Sequence, residues 1–511
     1  MGSPPSPTLG RRRIIVILIG LVFGNIMAGV EGTIVATARP FIVADLHRFD
    51  LSAWIFVSYQ LTQAVSTNLW GKFSDLLGRK RLYQLSLLVF MAGSLTCGVS
   101  TSMQMLILGR GIQGVGAGGL FTLSMVIMGD VLSPRERGRY VGYMAGTYGM
   151  ATVLGPFVGG AIVDNVSWRW IFFMMMPFGI AAMALAQINL KLAFKRRERT
   201  IDYAGALSMT VWVTSFVLYA ELGGRDGFTS PRMIALLGLG AVALGAFIRT
   251  ERRAIEPILP MHLFREPTFS LAAASQFSNG LVTMTIGIMA PLFLQIVGGV
   301  NATRSGVLSM PMVVGMLMAS MFTGAMMSRT GRYRIYPILG SGMLCAATAL
   351  LATIGTGTSN LLPALYMFIA GAGSNGSSQV LTVAVQNRVP YDDLGIATSA
   401  TAFFRSLGQV VGSALYSALL VARLDYWLPR LVTDGSVVNS TQIRQSPKQI
   451  QEMSPAVRDG IIESFSRSLH SVFLWLIPVC LIGLVISLGV PEHPLRESAA
   501  IGDDELVPAG H

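Results

Sequence analysis

The sequence predicts an all-α polytopic membrane protein, and three observations carry that prediction. Hydrophobic residues fill 52% of the 511 positions and charged residues 13%, with a mean hydropathy of +0.58, whereas soluble domains carry about 25% charge. Apolar runs of roughly 17 to 25 residues, the length a helix needs to cross a bilayer, recur along the whole chain. Lys and Arg gather on alternate connections between those runs, as they do on cytoplasmic loops. Together these exclude a soluble enzyme. The 56 glycines and 23 prolines follow no period, which excludes a collagen-like chain.

The first six runs fall at about 14–38, 53–70, 82–99, 104–129, 140–163 and 169–190. Two more lie at about 203–221 and 233–248, and six follow at about 268–296, 305–327, 335–356, 361–386, 395–422 and 470–490, giving fourteen. Lipid supplies no hydrogen-bond partners for backbone, and these runs are too long for barrel strands, so each is read as a helix. Arg11 to Arg13 ahead of the first run could open a signal peptide, but the run exceeds the apolar region of such a peptide and thirteen more follow. With both termini inside, most of the 38 Lys and Arg face the cytoplasm and its anionic lipid, which accounts for the net charge of +12 without nucleic acid.

The chain then divides into a cytoplasmic tail (1–13), a six-helix half (14–190), two inserted helices with inner loops (191–267), a second six-helix half (268–490) and a second tail (491–511). A long outer loop (423–469) interrupts the second half, and its segment 446–465 reads equally as an amphipathic interfacial helix or a solvated connector. Cys97, Cys345 and Cys480 sit in apolar stretches without ligand spacing, so no metal site is expected.

An internal repeat supports the two halves. GKFSDLLGRKR at 71–81 overlays GAMMSRTGRYR at 324–334 with both glycines and the basic tail in register, and DVLSPRERGR at 130–139 echoes QNRVPYDDLG at 386–395. Such symmetry belongs to secondary transporters, whose substrate site lies near the midplane between the repeats.

The charged positions carry the chemistry. Of 26 Asp and Glu, only Glu31 lies well inside an apolar run, where an acid survives in a cavity, beside a cation, or protonated. Helical rise puts Glu31 and Arg110 both roughly 10 Å from the outer boundary, so they can meet, either as a proton-coupled pair or as a static one. The fifth run carries Gly149, Gly155, Gly159 and Gly160 around Pro156, a smooth strip with a bend that fits a moving contact or plain tight packing. In 71–81, Asp75 at a helix end with Arg79 and Lys80 can latch two helices by charge pairing, with Gly71 and Gly78 beside them. Asn25, Tyr59, Gln60, Gln63, Gln113, Gln276, Asn279, Gln295, Asn375 and Gln409 are polar candidates for a substrate cavity or for helix-joining hydrogen bonds. Arg405 is a second deep cation with no acid in its own half, a substrate contact or a ligand of backbone carbonyls.

These motifs resemble the major facilitator superfamily, specifically its fourteen-span drug:proton antiporters of the QacA/EmrB type, over nearly the whole chain. GKFSDLLGRKR is similar to the loop motif between spans two and three, with Leu76 where a basic residue is usual. LILGRGIQGVGAGG is similar to the motif whose embedded basic residue is linked to proton coupling, here Arg110 with Gln113 and Gly114, and GMATVLGPFVGG to the exporter motif. EGTIVATARPFIVADL resembles the first-span signature, with Glu31 for the more usual Asp and Arg39 for an apolar residue.

The resemblance implies a major facilitator fold, working by alternating access as a proton-driven antiporter. It would export amphipathic small molecules, with protons and membrane lipid as its partners, no cofactor, and a monomeric state. An exporter of a lipid or envelope precursor is the neighbouring reading, and a non-transporting sensor the reading from another class. An enzyme is disfavoured because His47, His262, His470, His493 and His511 lie at or beyond the edges of the runs, and no nucleotide-binding loop occurs. Asn-X-Ser/Thr triplets at 165, 301, 375 and 439 are short enough to arise by chance, so the expected location is the cytoplasmic membrane of a bacterium.

Overall fold

A computed structural model describes residues 11–48, 51, 54–132, scattered positions from 140 to 163, 165–190, 202–254, 257, 259–300, 302–390, 393–432 and 454–495. Among them no strand occurs. The N-terminal helices are α1 (Arg11–Leu46), α2 (Trp54–Leu77), α3 (Arg79–Gly98), α4 (Met103–Val131), a short α5 (Trp170–Phe173) and α6 (Met175–Asn189). Then come α7 (Tyr203–Asp226) and α8 (Pro231–Glu251), followed by α9 (Pro267–Ile296), α10 (Ala302–Thr330), α11 (Ile335–Leu351), α12 (Leu361–Arg388), α13 (Leu394–Leu431) and α14 (Pro455–Leu488). Eight helical segments among the described residues are long and apolar enough to cross a membrane.

Local chemistry sets several boundaries. Ser102 caps α4, its hydroxyl accepting from Met105 N at 3.3 Å, and Asp202 caps α7 by accepting from Gly205 N at 2.7 Å. Gly78, between α2 and α3, has φ 95°, and Gly331, after α10, has φ 68°. The second glycine of each sequence repeat therefore occupies a backbone conformation that side chains resist, which explains why both copies keep it.

The repeat recurs in the packing. In the first set α4 packs against α2 and α3, and in the second α12 packs against α10 and α11. Both pairings rest on close backbone approach: a Cβ on Gly114 would lie 2.3 Å from Tyr59 O, and one on Gly371 would lie 1.8 Å from Met312 O. α1 packs on α4 and α6, while α9 packs on α13 and α14.

The two sets meet at the end that carries Gly78. There α13 lies against α2 and α4, and α7 bridges α2 and α13, with Trp212 edge-on to Phe403 at 5.9 Å. One apolar core accordingly runs from the first set into Val380, Ile396 and Phe403, while a second core fills the remainder of α9–α14.

One boundary differs from the sequence reading. The expected loop 423–469 is largely helix at both ends, because α13 continues to Leu431 and α14 begins at Pro455. The part of the amphipathic segment from Pro455 onward is the first turns of α14 rather than a separate helix. Polar and aromatic pairs hold this extension: Arg467 donates to Glu463 at 2.7 Å and lies over the Trp427 ring.

Candidate functional site

Four helices converge on one buried guanidinium. Arg110 on α4 donates through Nη1 to Glu31 Oε1 on α1 and to Gln113 Oε1 at 2.7 Å, and through Nε to Ile55 O on α2 at 3.0 Å. Its guanidinium carbon lies 4.2 Å from the centroid of the Tyr59 ring, and Gln113 Nε2 donates onward to Ser94 Oγ on α3 at 2.7 Å. Glu31 is 0% and Arg110 1% exposed. A buried pair survives only when its other polar groups are provided for, and here Nε and Nη1 of Arg110 reach neutral oxygens while the guanidinium lies over an aromatic face. The carboxylate is different. Glu31 Oε2 has no hydrogen-bond partner among the described residues.

The sequence motif 71–81 forms a second cluster at the end where the sets meet. Arg79 donates through Nε to Asp130 Oδ2 at 3.1 Å and through Nη1 to Ser74 O at 2.9 Å. The Asp75 side chain lies outside the described residues. Asp130 is only 2% exposed, and it sits in the last turn of α4, where the helix dipole disfavours an acid and the Arg79 cation compensates. Lys80 Nζ reaches Gln187 O on α6 at 2.8 Å. Gly71 faces the other set: a Cβ there would lie 2.2 Å from Ser399 Oγ on α13.

The fifth run is described at scattered positions, and Gly149 and Pro156 fall outside them. Gly155 and Gly159 are buried, and a Cβ on Gly159 would come within 2.7 Å of Ile34 Cγ1 on α1, whereas Gly160 has open space.

The polar candidates separate into two groups. Gln113, Gln276 and Asn279 join helices instead of lining a cavity: Gln276 bonds Ser378 O and Thr382 Oγ1, and Asn279 bonds Ser374 O and accepts from Ser374 Oγ, all between α9 and α12. Gln295 reaches Ser305 Oγ at 3.4 Å. Asn25 is 1% exposed with neither amide atom hydrogen-bonded to a described residue, while Gln60, Gln63 and Gln409 are half-buried. Arg405, half-buried on α13, donates through Nη2 to Asn375 Oδ1 on α12 at 3.4 Å.

Sequence reasoning passed over three features. Asp130 and Glu251 are as buried as Glu31, although hydropathy places them at run ends. Near the far end of α1, Asp45 Oδ2 accepts from Trp168 Nε1 at 3.1 Å and Arg169 Nη1 at 2.9 Å, and Arg169 Nη2 donates to Ser100 O at 3.0 Å. The Trp168 and Arg169 hydrogen bonds hold the Asp45 carboxyl below the usual carboxylate range. The adjacent Trp-Arg pair near a run boundary was the available signal.

A two-set helical bundle with membrane-length helices and a buried ion pair inside its first set fits an integral membrane transporter, and the comparisons with known proteins identify its family. The Major Facilitator Superfamily profile matches residues 21–413. The MFS-type transporter Rv1877 of Mycobacterium tuberculosis is 36% identical over 98% of this chain and 72% of its own length. In Bacillus subtilis, the multidrug transporter protein MdtP is 32% identical over 96% of this chain and 95% of its own, and multidrug resistance protein 3 is 30% identical over 92% and 94%. The crystal structure of the human organic anion transporter MFSD10 superposes with a TM-score of 0.61 over 94% of this chain and 100% of that one, at 13% identity, a likeness of fold alone. The chain belongs to the Major Facilitator Superfamily, whose members are transporters.

Proposed function

We propose that this transporter is a fourteen-span, proton-coupled antiporter that exports amphipathic small molecules by alternating access. In this reading it is a monomer in a bacterial cytoplasmic membrane, with both termini inside. The observation that carries it is the Glu31–Arg110 pair, because one carboxylate oxygen is committed to the guanidinium and the other is buried without a partner among the described residues. Such a carboxyl has two available states: ionised and bound to Arg110, or protonated with the guanidinium left to Ile55 O, Gln113 and Tyr59. Because α1, α2 and α4 all touch Arg110, a change in its bonds acts on the packing of three helices at once. The multidrug names of the two Bacillus relatives support an exported amphiphile as the substrate class.

Flux of a lipophilic dye into proteoliposomes under an imposed pH gradient tests the reading. The wild type should move dye in the direction opposed to protons, and Glu31→Gln should bind dye yet lose the dependence on the gradient. Gradient-driven flux retained by Glu31→Gln would remove Glu31 from the mechanism.

A further inference from the structure

The three cysteines divide unequally between the two sets. Cys97 on α3 is fully buried in the first core, and its thiol donates to Leu106 O at 3.7 Å. Cys480 on α14 is buried in the second core and Cys345 on α11 packs at the edge of that same core, all three thiols being free. α11 and α14 pack side by side, and hydrogen bonds fix their register. Ser341 Oγ lies 2.8 Å from Ser487 Oγ, and two turns along α11 Thr348 Oγ1 lies 3.3 Å from Cys480 Sγ. Cys345 stands between Ser341 and Thr348, one turn from each, and therefore on the face that meets α14. The Cys345 and Cys480 thiols are in consequence each other's hydrogen-bond partners. The spacing of cysteines along the sequence could not show this, because the two come from different helices.

One of the two thiols is within reach from outside the bundle. Cys345 is half-buried, whereas Cys480 is buried. Met343 and Leu339 on α11 and Leu481 on α14 are exposed apolar side chains, the surface that a membrane-spanning chain turns towards lipid. A lipid-soluble reagent therefore meets Cys345 at this seam without an aqueous cavity. Once it is bound to the first sulfur, the second sulfur is held beside it at a high effective concentration, so a reagent that takes two thiols is retained far better than one that takes a single thiol.

We infer that Cys345 and Cys480 form a dithiol site, joining α11 to α14, that takes lipid-soluble trivalent organoarsenicals and holds them through two As–S bonds. With an arsenic oxide R–As=O, two S–H bonds break, two As–S bonds form, and the oxygen leaves as water carrying both thiol protons. Arsenic stays trivalent and no oxidant is consumed. The net reaction creates no charge, which suits a site of low dielectric. Cys97, in the other core and bonded to a backbone carbonyl, has no second thiol to complete such a chelate.

The test uses the full chain in nanodiscs with phenylarsine oxide as the probe and intact mass as the readout. The wild type should gain one phenylarsenic per chain, with a mass equal to the reagent less one water, and proteolysis should recover arsenic bridging the peptides that hold Cys345 and Cys480. Release by the monothiol 2-mercaptoethanol should need about a hundredfold more reagent than release by 2,3-dimercaptopropanol, the scale of the intramolecular advantage. Cys97→Ser should behave as the wild type, while Cys345→Ser and Cys480→Ser should each lose the monothiol-resistant adduct. The bridged peptide and the two release curves are read on the wild type, so they hold whether or not the serine variants fold. No adduct on the wild type, arsenic recovered on Cys97, equal release by the two thiols, or resistance retained in both Cys345→Ser and Cys480→Ser overturns the site.

Discussion

Removing Arg110 and removing Glu31 should have different consequences, because only one of the two can discard its charge. In Arg110→Gln the carboxyl of Glu31, 0% exposed, loses its cation and must take up a proton to stay buried. For a carboxyl with an ordinary value near 4.3, that uptake costs about 3.7 kcal/mol at pH 7 and about 1.4 kcal/mol less for each pH unit below it. In Glu31→Gln the guanidinium stays charged at every accessible pH, but it retains Ile55 O at 3.0 Å, Gln113 at 2.7 Å and the Tyr59 face. Its destabilisation should fall within the roughly 3–5 kcal/mol of a broken buried pair and be independent of pH wherever the wild-type Glu31 stays ionised. The double variant buries no charge at this point and should be more stable than the sum of the single effects predicts, by about 1–3 kcal/mol. Thermal unfolding of the four proteins in nanodiscs from pH 5 to pH 8 measures all three statements. Parallel pH profiles for the two single variants, together with additive losses, would refute the account of the pair as a mutually compensating unit.

Three further outcomes follow from other contacts. Asp130→Asn should lower stability by about 3 kcal/mol, because Arg79, 10% exposed, loses the carboxylate that compensates its charge; a variant that melts with the wild type would show that the pair contributes nothing. Gly71→Ala puts a methyl group 2.2 Å from Ser399 Oγ and 2.9 Å from Gly395 O, so α2 and α13 must separate. Hydrogen exchange at the start of α13 should rise selectively, and unchanged protection there would contradict the close approach. Asp45→Asn should narrow the stability advantage of the wild type by under about 1 kcal/mol, since the pair is part-exposed. The sign is fixed by the lowered value of the Asp45 carboxyl: the contribution is present above about pH 4, the ordinary value, and disappears as pH falls through the folded one. A difference that persists in stronger acid would mean that packing of Trp168, not charge, is responsible.

How much of this was legible in the sequence depends on the range of the interaction. Hydropathy locates helices because lipid forces each long apolar run to satisfy its own backbone, and the second glycine of each repeat is readable because a positive φ excludes other residues. Glu31 and Arg110 are readable as a pair because helical rise fixes depth. What rise leaves undetermined is rotation about each helix axis, and there the sequence is silent. It could not tell that Arg79 reaches Asp130, 51 residues away. Nor could it tell that Gln276 and Asn279 point into the α9–α12 contact while Gln60 and Gln409 stay half-buried. The run ends at 422 and 470 were set by hydropathy, which drops once Arg423, Asp425 and Glu463 enter the window, although the backbone continues as helix to Leu431 and from Pro455.

The charge of the substrate has an energetic consequence for an exchanger of one proton. A proton entering along a membrane potential releases about 2.3 kcal/mol per 100 mV and about 1.4 kcal/mol per pH unit. For a neutral substrate, 100 mV and one pH unit therefore sustain a gradient on the order of a few hundredfold. A dication leaving against the same potential consumes about 4.6 kcal/mol, more than the proton provides, so one proton cannot expel it under those conditions. An anion leaving the cell moves with the potential, adds about 2.3 kcal/mol, and raises the limit to the order of ten-thousandfold. If Glu31 is the group that carries the proton, an acidic amphiphile is thus the substrate favoured on energetic grounds. In vesicles holding a fixed pH difference, raising a potassium diffusion potential should accelerate export of a fluorescent carboxylate amphiphile about twice as steeply, on a logarithmic scale, as export of its methyl ester, because two charges move in place of one. Equal voltage dependence for the two probes would show that they exchange with different numbers of protons, and that a single titrating Glu31 cannot account for the coupling.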